Sequence, residues 1–266
     1  MGVLEAIVEN KKREVADLRA SVPARVVGTS GRAPLDTFAA LSRQNNGPLH
    51  LIAEIKFKSP SAGPLSTKLD AAARALAYAR GGAAMVSVLC DSHFFGGSYE
   101  DLASARAALD DEKLATPLLC KEFVIDEVQL DWARARGADA VLLIVKIVDR
   151  DALERLVIAS LSRGLEPLVE AASEAELEIA LATQARLIGV NARNLDTLAL
   201  DRHACTALVE KIPEDRIALY LSGVRNEADL DSIARGRADA ALIGEALMRA
   251  DDPAELLARF VDAAFV

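Results

Sequence analysis

The sequence predicts an α/β fold, a (β/α)8 TIM barrel with an N-terminal helical extension. Beyond residue 48, short apolar runs alternate with amphipathic stretches, eight of each. Alternating strand and helix implies parallel strands joined by crossover helices. Eight such units close into a barrel, whose usual size is about 250 residues, and the chain has 266. An open doubly wound sheet is the alternative, but no Gly-x-Gly-x-x-Gly turn follows the first strand to favour it. The whole chain, 1–266, reads as one barrel domain, with 1–48 as its extension.

Val3 to Ala20 sets Leu4, Ile7, Val8, Val15 and Leu18 near helical spacing among Glu, Lys and Arg, the pattern of an amphipathic helix. Ser21 to Pro34 is rich in Gly, Pro, Ser and Arg and reads as a loop. Leu35 to Ser42 fits a second, short helix, and Asn45-Asn46-Gly47-Pro48 is a turn. Strands are expected at His50–Phe57, Met85–Cys90, Pro117–Cys120, Ala140–Val145, Leu165–Glu170, Arg186–Val190, Arg216–Leu221 and Ala240–Gly244. Helices are expected between and after them, at Ala71–Arg80, Glu100–Asp110, Asp126–Arg136, Arg150–Arg163, Ser173–Ala182, Asp201–Glu210, Glu227–Arg235 and Ala254–Val261.

Composition narrows the function. The chain is 52% hydrophobic and 27% charged, ample for a large core. A net charge of −9 argues against nucleic acid or an anionic membrane as partner. A small anionic substrate would need a local cluster of Lys, Arg and backbone N–H groups. Cys90, Cys120 and Cys205 are too few and too scattered for a disulfide framework or a zinc motif. Reduced thiols, no apolar leader and no run of about 18 apolar residues point to a cytoplasmic protein.

The first strand carries charge where a buried strand should have none. Side chains alternate faces, so Ile52, Glu54, Lys56 and Lys58 share one side, and Ala53, Ile55 and Phe57 the other. The second side can bury against helices. The first must look into something polar, because an unpaired buried charge is costly. An ordinary ion pair on an edge strand is the plain alternative. Sites of such barrels lie at the C-terminal strand ends. There the sequence places Glu54, Lys56 and Ser59, then Lys121, Glu170, Asn191 with Arg193, Ser222-Gly223, and Gly244. Lys121 and Glu170 suit acid–base work: a lysine in a partly dry mouth among cations should lose its proton more easily, and a carboxylate there should gain one. Either could instead be a structural ion-pair partner. Gly223 and Gly244 let backbone approach a ligand closely, and helix N-termini following them would favour an anion such as phosphate. Phe95, Phe123 and Leu142 could wall a ring, or be ordinary core.

These motifs resemble indole-3-glycerol-phosphate synthase. The resemblance lies in Ile52-Ala53-Glu54-Ile55-Lys56 with Lys58-Ser59-Pro60-Ser61, Phe95-Gly96-Gly97-Ser98, Lys121-Glu122-Phe123 and Glu166-Pro167-Leu168-Val169-Glu170. It continues through Ile188-Gly189-Val190-Asn191 with Arg193-Asn194-Leu195, and Ser222-Gly223. It implies a barrel with an N-terminal extension over its mouth. It also implies closure and decarboxylation of 1-(2-carboxyphenylamino)-1-deoxyribulose 5-phosphate to indole-3-glycerol phosphate, a step of tryptophan biosynthesis, by a lyase that needs no metal or organic cofactor. By resemblance, Lys121 is the general acid on the substrate carbonyl and Glu170 the partner in dehydration. Lys56 meets phosphate or a developing oxyanion. Glu54 and Asn191 hold the hydroxyls and each other. Arg193 and Ser59 meet the carboxylate, and Ser222, Gly223 and Gly244 cradle phosphate. Phe95, Phe123 and Leu142 wall the ring. A monomer or small homo-oligomer is expected.

The chain departs from the family at Leu221, where Glu usually precedes Ser-Gly, so a carboxylate that would orient the lysines is missing. Cys90 stands where Thr is common, and His93 lies in the following loop; both read as loop or packing variation. A phosphoribosylanthranilate isomerase would want Cys and Asp where this chain has Lys56 and Asn191. An altered or weak phosphate-binding barrel rests on Leu221 alone.

Overall fold

The computed structural model describes residues 2–21, 32–44, 47–60, 63–66, 68–193 and 199–265. The Asn45-Asn46 turn, most of the Ser21–Pro34 loop, and Ser61, Asn194 and Leu195 lie outside the described residues. Helices α1 (Val3–Ser21) and α2 (Thr37–Leu41) precede eight strands. These are β1 (His50–Ile55), β2 (Met85–Leu89), β3 (Leu118–Lys121), β4 (Ala140–Ile144), β5 (Glu166–Ala171), β6 (Leu187–Val190), β7 (Ile217–Tyr220) and β8 (Ala240–Ile243). All pair in parallel in chain order, and β8 pairs back onto β1, with Ile52 beside Leu242, closing a barrel. Every expected strand is present, several ending a residue or two sooner because the chain turns into a loop at the charged tip. Lys58–Ser59 and Gly63–Pro64 form a separate two-stranded ribbon after β1.

The eight helices expected after the strands each begin on a side chain that accepts a backbone N–H: Asp70, Ser98, Asp126, Asp149, Ser173, Asp201, Asn226 and Asp252. Such caps satisfy donors that the first helical turn leaves unpaired. Asp126 forms a full capping box with Gln129.

Strand alternation divides the core in two. Ala53, Ile55, Val86, Val88, Leu143, Val169 and Ile188 pack outward under the helices. Ile52, Met85, Leu119, Leu142, Leu168, Leu187, Leu219 and Leu242 fill the barrel interior. The interior layer stops at the strand tips, where Glu54 follows Ile52 on the inward side.

The two N-terminal helices close opposite ends. Leu4 and Ile7 of α1 join the interior cluster with Phe123 and Leu221 at the mouth. Arg19 pairs with Asp126, at the start of the helix after β3. By contrast, Leu41 of α2 is fully buried in a cluster that includes Met85, Ala140, Ile217 and Ala240 at strand beginnings. Arg43 just beyond it donates to the carbonyls of Ala234 and Ala238, below β8. The expected extension over the mouth is therefore α1 alone.

Candidate active site

The mouth is a cavity of about 400 Å³, lined by all thirteen residues named from the strand ends and loops: Glu54, Lys56, Ser59, Phe95, Lys121, Phe123, Leu142, Glu170, Asn191, Arg193, Ser222, Gly223 and Gly244. A cavity of this size suits a small ligand. What brings them together is closure of the barrel, which delivers eight consecutive tips to one rim.

Glu54 is the electrostatic centre. It is buried, and its carboxylate accepts from Lys56 Nζ on Oε1 at 2.5 Å and from Lys121 Nζ on Oε2 at 2.6 Å. Burial alone would raise its pKa, but the two ammonium groups outweigh that and hold it at about 2. Gly244 makes this possible: a Cβ there would stand 2.5 Å from Glu54 Oε1. The sequence suggests that Lys121 sheds its proton easily. The structure reverses this, because burial lowers its pKa but Glu54 and Glu170 more than restore it, so the ammonium form is favoured.

Glu170 lies across the mouth, buried at the end of β5. Burial raises its pKa, against the pull of Lys121 and of Asn191, the direction expected of a carboxyl in a partly dry mouth. Asn191 Nδ2 donates to Glu170 Oε1 at 3.0 Å, and Asn191 Oδ1 accepts from Ser222 Oγ at 2.7 Å. The expected Glu54–Asn191 contact gives way to this Glu170–Asn191 one, since β5 and β6 are neighbours and β1 is not. Two networks thus face each other: Lys56–Glu54–Lys121 and Glu170–Asn191–Ser222.

The two phenylalanines expected to wall a ring have their own supports. Phe95 and Phe123 lie with centroids 5.8 Å apart. Phe95 ends a short helix, Ser92–Phe95, and Gly96-Gly97 turns the chain back so tightly that a Cβ on Gly97 would meet the Leu89 carbonyl oxygen at 1.9 Å. Cys90 and His93 do not line the cavity.

At the strand ends expected to cradle phosphate, the two glycines differ. Gly244 directly caps a five-residue helix, Glu245–Arg249. Gly223 has φ +92° and is followed by a loop; its helix starts later, on Asn226. Its carbonyl accepts from Arg202, which also pairs with Asp229. Only the β8 end therefore has the helix N-terminus expected of both.

Leu221 is buried and fills space left by Gly189, where a Cβ would lie 2.3 Å from Leu221 Cδ1. A carboxylate at position 221 is not needed to hold the lysines, since Glu54 contacts both. Sequence reasoning missed Val3, Leu4 and Ile7 of α1, and Arg225 and Arg249, all in the cavity lining. The apolar stripe of α1 is visible in the sequence, but a stripe says that a face is covered and not what covers it.

A family model described as indole-3-glycerol phosphate synthase matches residues 4–260. The chain is 40% identical to the indole-3-glycerol phosphate synthase of Micrococcus luteus over 98% of its own length and 97% of that protein. It is also 40% identical to that of Mycobacterium leprae over 98% and 94%. Among solved structures, a 3-hexulose-6-phosphate synthase aligns with a TM-score of 0.60 at 18% identity, covering 81% of this chain and 99% of that one. A thiamine phosphate pyrophosphorylase from Pyrococcus furiosus aligns at 0.59 and 14% identity, covering 82% and 98%. Those two likenesses speak to the barrel alone. Matched across nearly its whole length by the family model and by relatives well above 30% identity, the chain belongs to the indole-3-glycerol phosphate synthase family.

Proposed function

We propose that the cavity closes, decarboxylates and dehydrates 1-(2-carboxyphenylamino)-1-deoxyribulose 5-phosphate, giving indole-3-glycerol phosphate, carbon dioxide and water. This makes the chain a carboxy-lyase of tryptophan biosynthesis. The observation that carries the reading is the Glu54 carboxylate bridging Lys56 and Lys121 in the same cavity as Glu170.

The raised proton affinity of Lys121 suits a donor. Its ammonium protonates the substrate's carbonyl oxygen as the ring carbon attacks the carbonyl carbon. Glu54 holds the two lysines in place and keeps Lys121 protonated, and Lys56 steadies the developing oxyanion or the phosphate. Loss of carbon dioxide returns the bond electrons to the ring. The new hydroxyl then leaves as water, taking a proton from Lys56 or from Lys121 once solvent has reprotonated it, while the Glu170 carboxylate removes a proton from the neighbouring carbon of the closed ring, so that the C–H electrons form the ring's new double bond. Asn191, held by Glu170 and Ser222, orients the hydroxyls. Arg193 and Ser59 receive the ring carboxylate. Backbone N–H groups at Ser222, Gly223 and Gly244 receive the phosphate, and Phe95, Phe123 and Leu142 confine the ring. Holding ring and carbonyl together in reactive geometry can contribute up to about 7–11 kcal/mol, and each acid–base group about 10²–10⁴-fold.

Among the described residues no helix is long and apolar enough to cross a membrane. All three cysteines are buried and free, which fits the reducing cytoplasm that we assign to the protein, as a monomer or small homo-oligomer. The test is indole-chromophore formation from the ribulose phosphate. Wild type should turn over, and Lys121→Ala should lose at least about 10²-fold in kcat. A folded wild type that forms no indole would end the proposal.

A further inference from the structure

The face of α1 that covers the mouth runs Leu4, Ile7, Lys11, Val15, Leu18. Lys11 breaks an apolar stripe, yet it is only 1% exposed. Its Nζ meets Glu14 at 2.5 Å, Glu122 Oε1 at 2.9 Å and Asp91 Oδ2 at 3.1 Å. Glu122 and Asp91 are themselves buried. A buried ammonium among carboxylates from three elements is costly to assemble and specifies one arrangement of them.

Each of the two buried carboxylates also holds the backbone of a ring that walls the cavity. Asp91 Oδ1 accepts from Phe94 N at 2.7 Å and from Phe95 N at 3.2 Å, building the short helix that carries Phe95. Glu122 Oε1 accepts from Phe123 N at 2.6 Å. Asp91 Oδ2 has no hydrogen-bond partner among the described residues besides its ion pair with Lys11. Lys11 does not itself line the cavity.

We infer that Lys11 is a positioning residue for the substrate's ring: its buried ammonium ties α1 to the two carboxylates that set the Phe95–Phe123 wall. The inference rests on the proposed ring closure in this cavity. Lys11 acts through Asp91 and Glu122, while the reacting lysines are held separately by Glu54. Its loss should therefore weaken ring binding and spare the chemical step. The cluster tolerates the change, because burial already lifts Glu122 to about 7, against the pull of Lys11, so the carboxyl can take up a proton when the ammonium is gone.

The experiment compares wild type, Lys11→Met, Glu122→Gln and the double variant. Lys11→Met should raise KM about tenfold and leave kcat within about threefold. Inhibition by inorganic phosphate, which has no ring to place, should stay within about twofold of wild type. The double variant should be little worse than Lys11→Met alone, since both substitutions break one link. If Lys11→Met loses its folded signal, Lys11→Gln, whose amide can still donate to Asp91, carries the comparison with a smaller rise in KM. An unchanged KM overturns the inference. So do equal falls in kcat and kcat/KM, a matching loss of phosphate inhibition, or additive effects of the two substitutions. A wild type without turnover would instead indict the proposed reaction.

Discussion

At the scale of single residues, the site depends on how one carboxylate is shared. Glu54 satisfies both lysines, and the room for its carboxylate beside β8 comes from the lack of a side chain at Gly244. Gly244→Ala should therefore displace the carboxylate and with it both ammonium groups. Misplacement on the ångström scale can cost about 10²-fold in rate, so we expect a fall in kcat of that order, together with a lower thermal midpoint because the pairing that stabilises the buried carboxylate is disturbed. Steady-state indole formation beside a melting curve checks this. Most of this chemistry was legible in the sequence, since a Glu and a Lys on the inward side of an apolar strand must be met there by something polar. Two particulars were not. The protonation preference of Lys121 depends on how close Glu54 comes across the mouth, and the partner of Asn191 depends on which strand is its neighbour. Spacing along the chain carries neither.

At the scale of elements, the helices begin where the sequence says, because Asp, Ser and Asn before an apolar-periodic stretch have a local job that needs no tertiary context. Asp126 has two: it caps the helix Glu127–Ala135 and pairs with Arg19 of α1. Asp126→Ala should destabilise the protein by about 1–2 kcal/mol, nearly all of it from the cap, because the exposed pair with Arg19 is worth little. Urea unfolding of Asp126→Ala and Arg19→Ala separates the two, the second variant lying within about 0.5 kcal/mol of wild type. The placement of α1 and α2 was less legible. Both are short amphipathic patterns, yet one covers the mouth and the other the floor. Lys11, a charge inside the apolar stripe that the sequence reading passed over, makes sense only beside its buried carboxylate partners.

Over the whole molecule, the eightfold alternation was enough to predict the closed barrel, because each unit is local and closure follows from their number. The energetics are less local. Glu54 is held at about 2 in the folded state against an ordinary 4.5. A lowered carboxylate contributes stability that is present above its unfolded value and lost as pH falls through the folded one. That contribution should therefore fade between about pH 4.5 and pH 2. Glu122, raised to about 7 by burial, works in the opposite sense: it costs stability progressively as pH climbs from 4.5 toward 7. Urea midpoints measured across pH check both. Below pH 4.5 they should fall less steeply with acidity for Glu54→Gln than for wild type. Between pH 4.5 and 7 they should lose less with rising pH for Glu122→Gln than for wild type.

The plug made by Leu41 at the barrel floor has a consequence for traffic. With that end stoppered among the described residues, whatever enters and whatever leaves share the mouth beside α1 as a doorway. Arriving reactant and departing indole compound then exclude each other, so the product should inhibit by simple competition. A fast turnover also demands that the doorway be cleared before each new cycle.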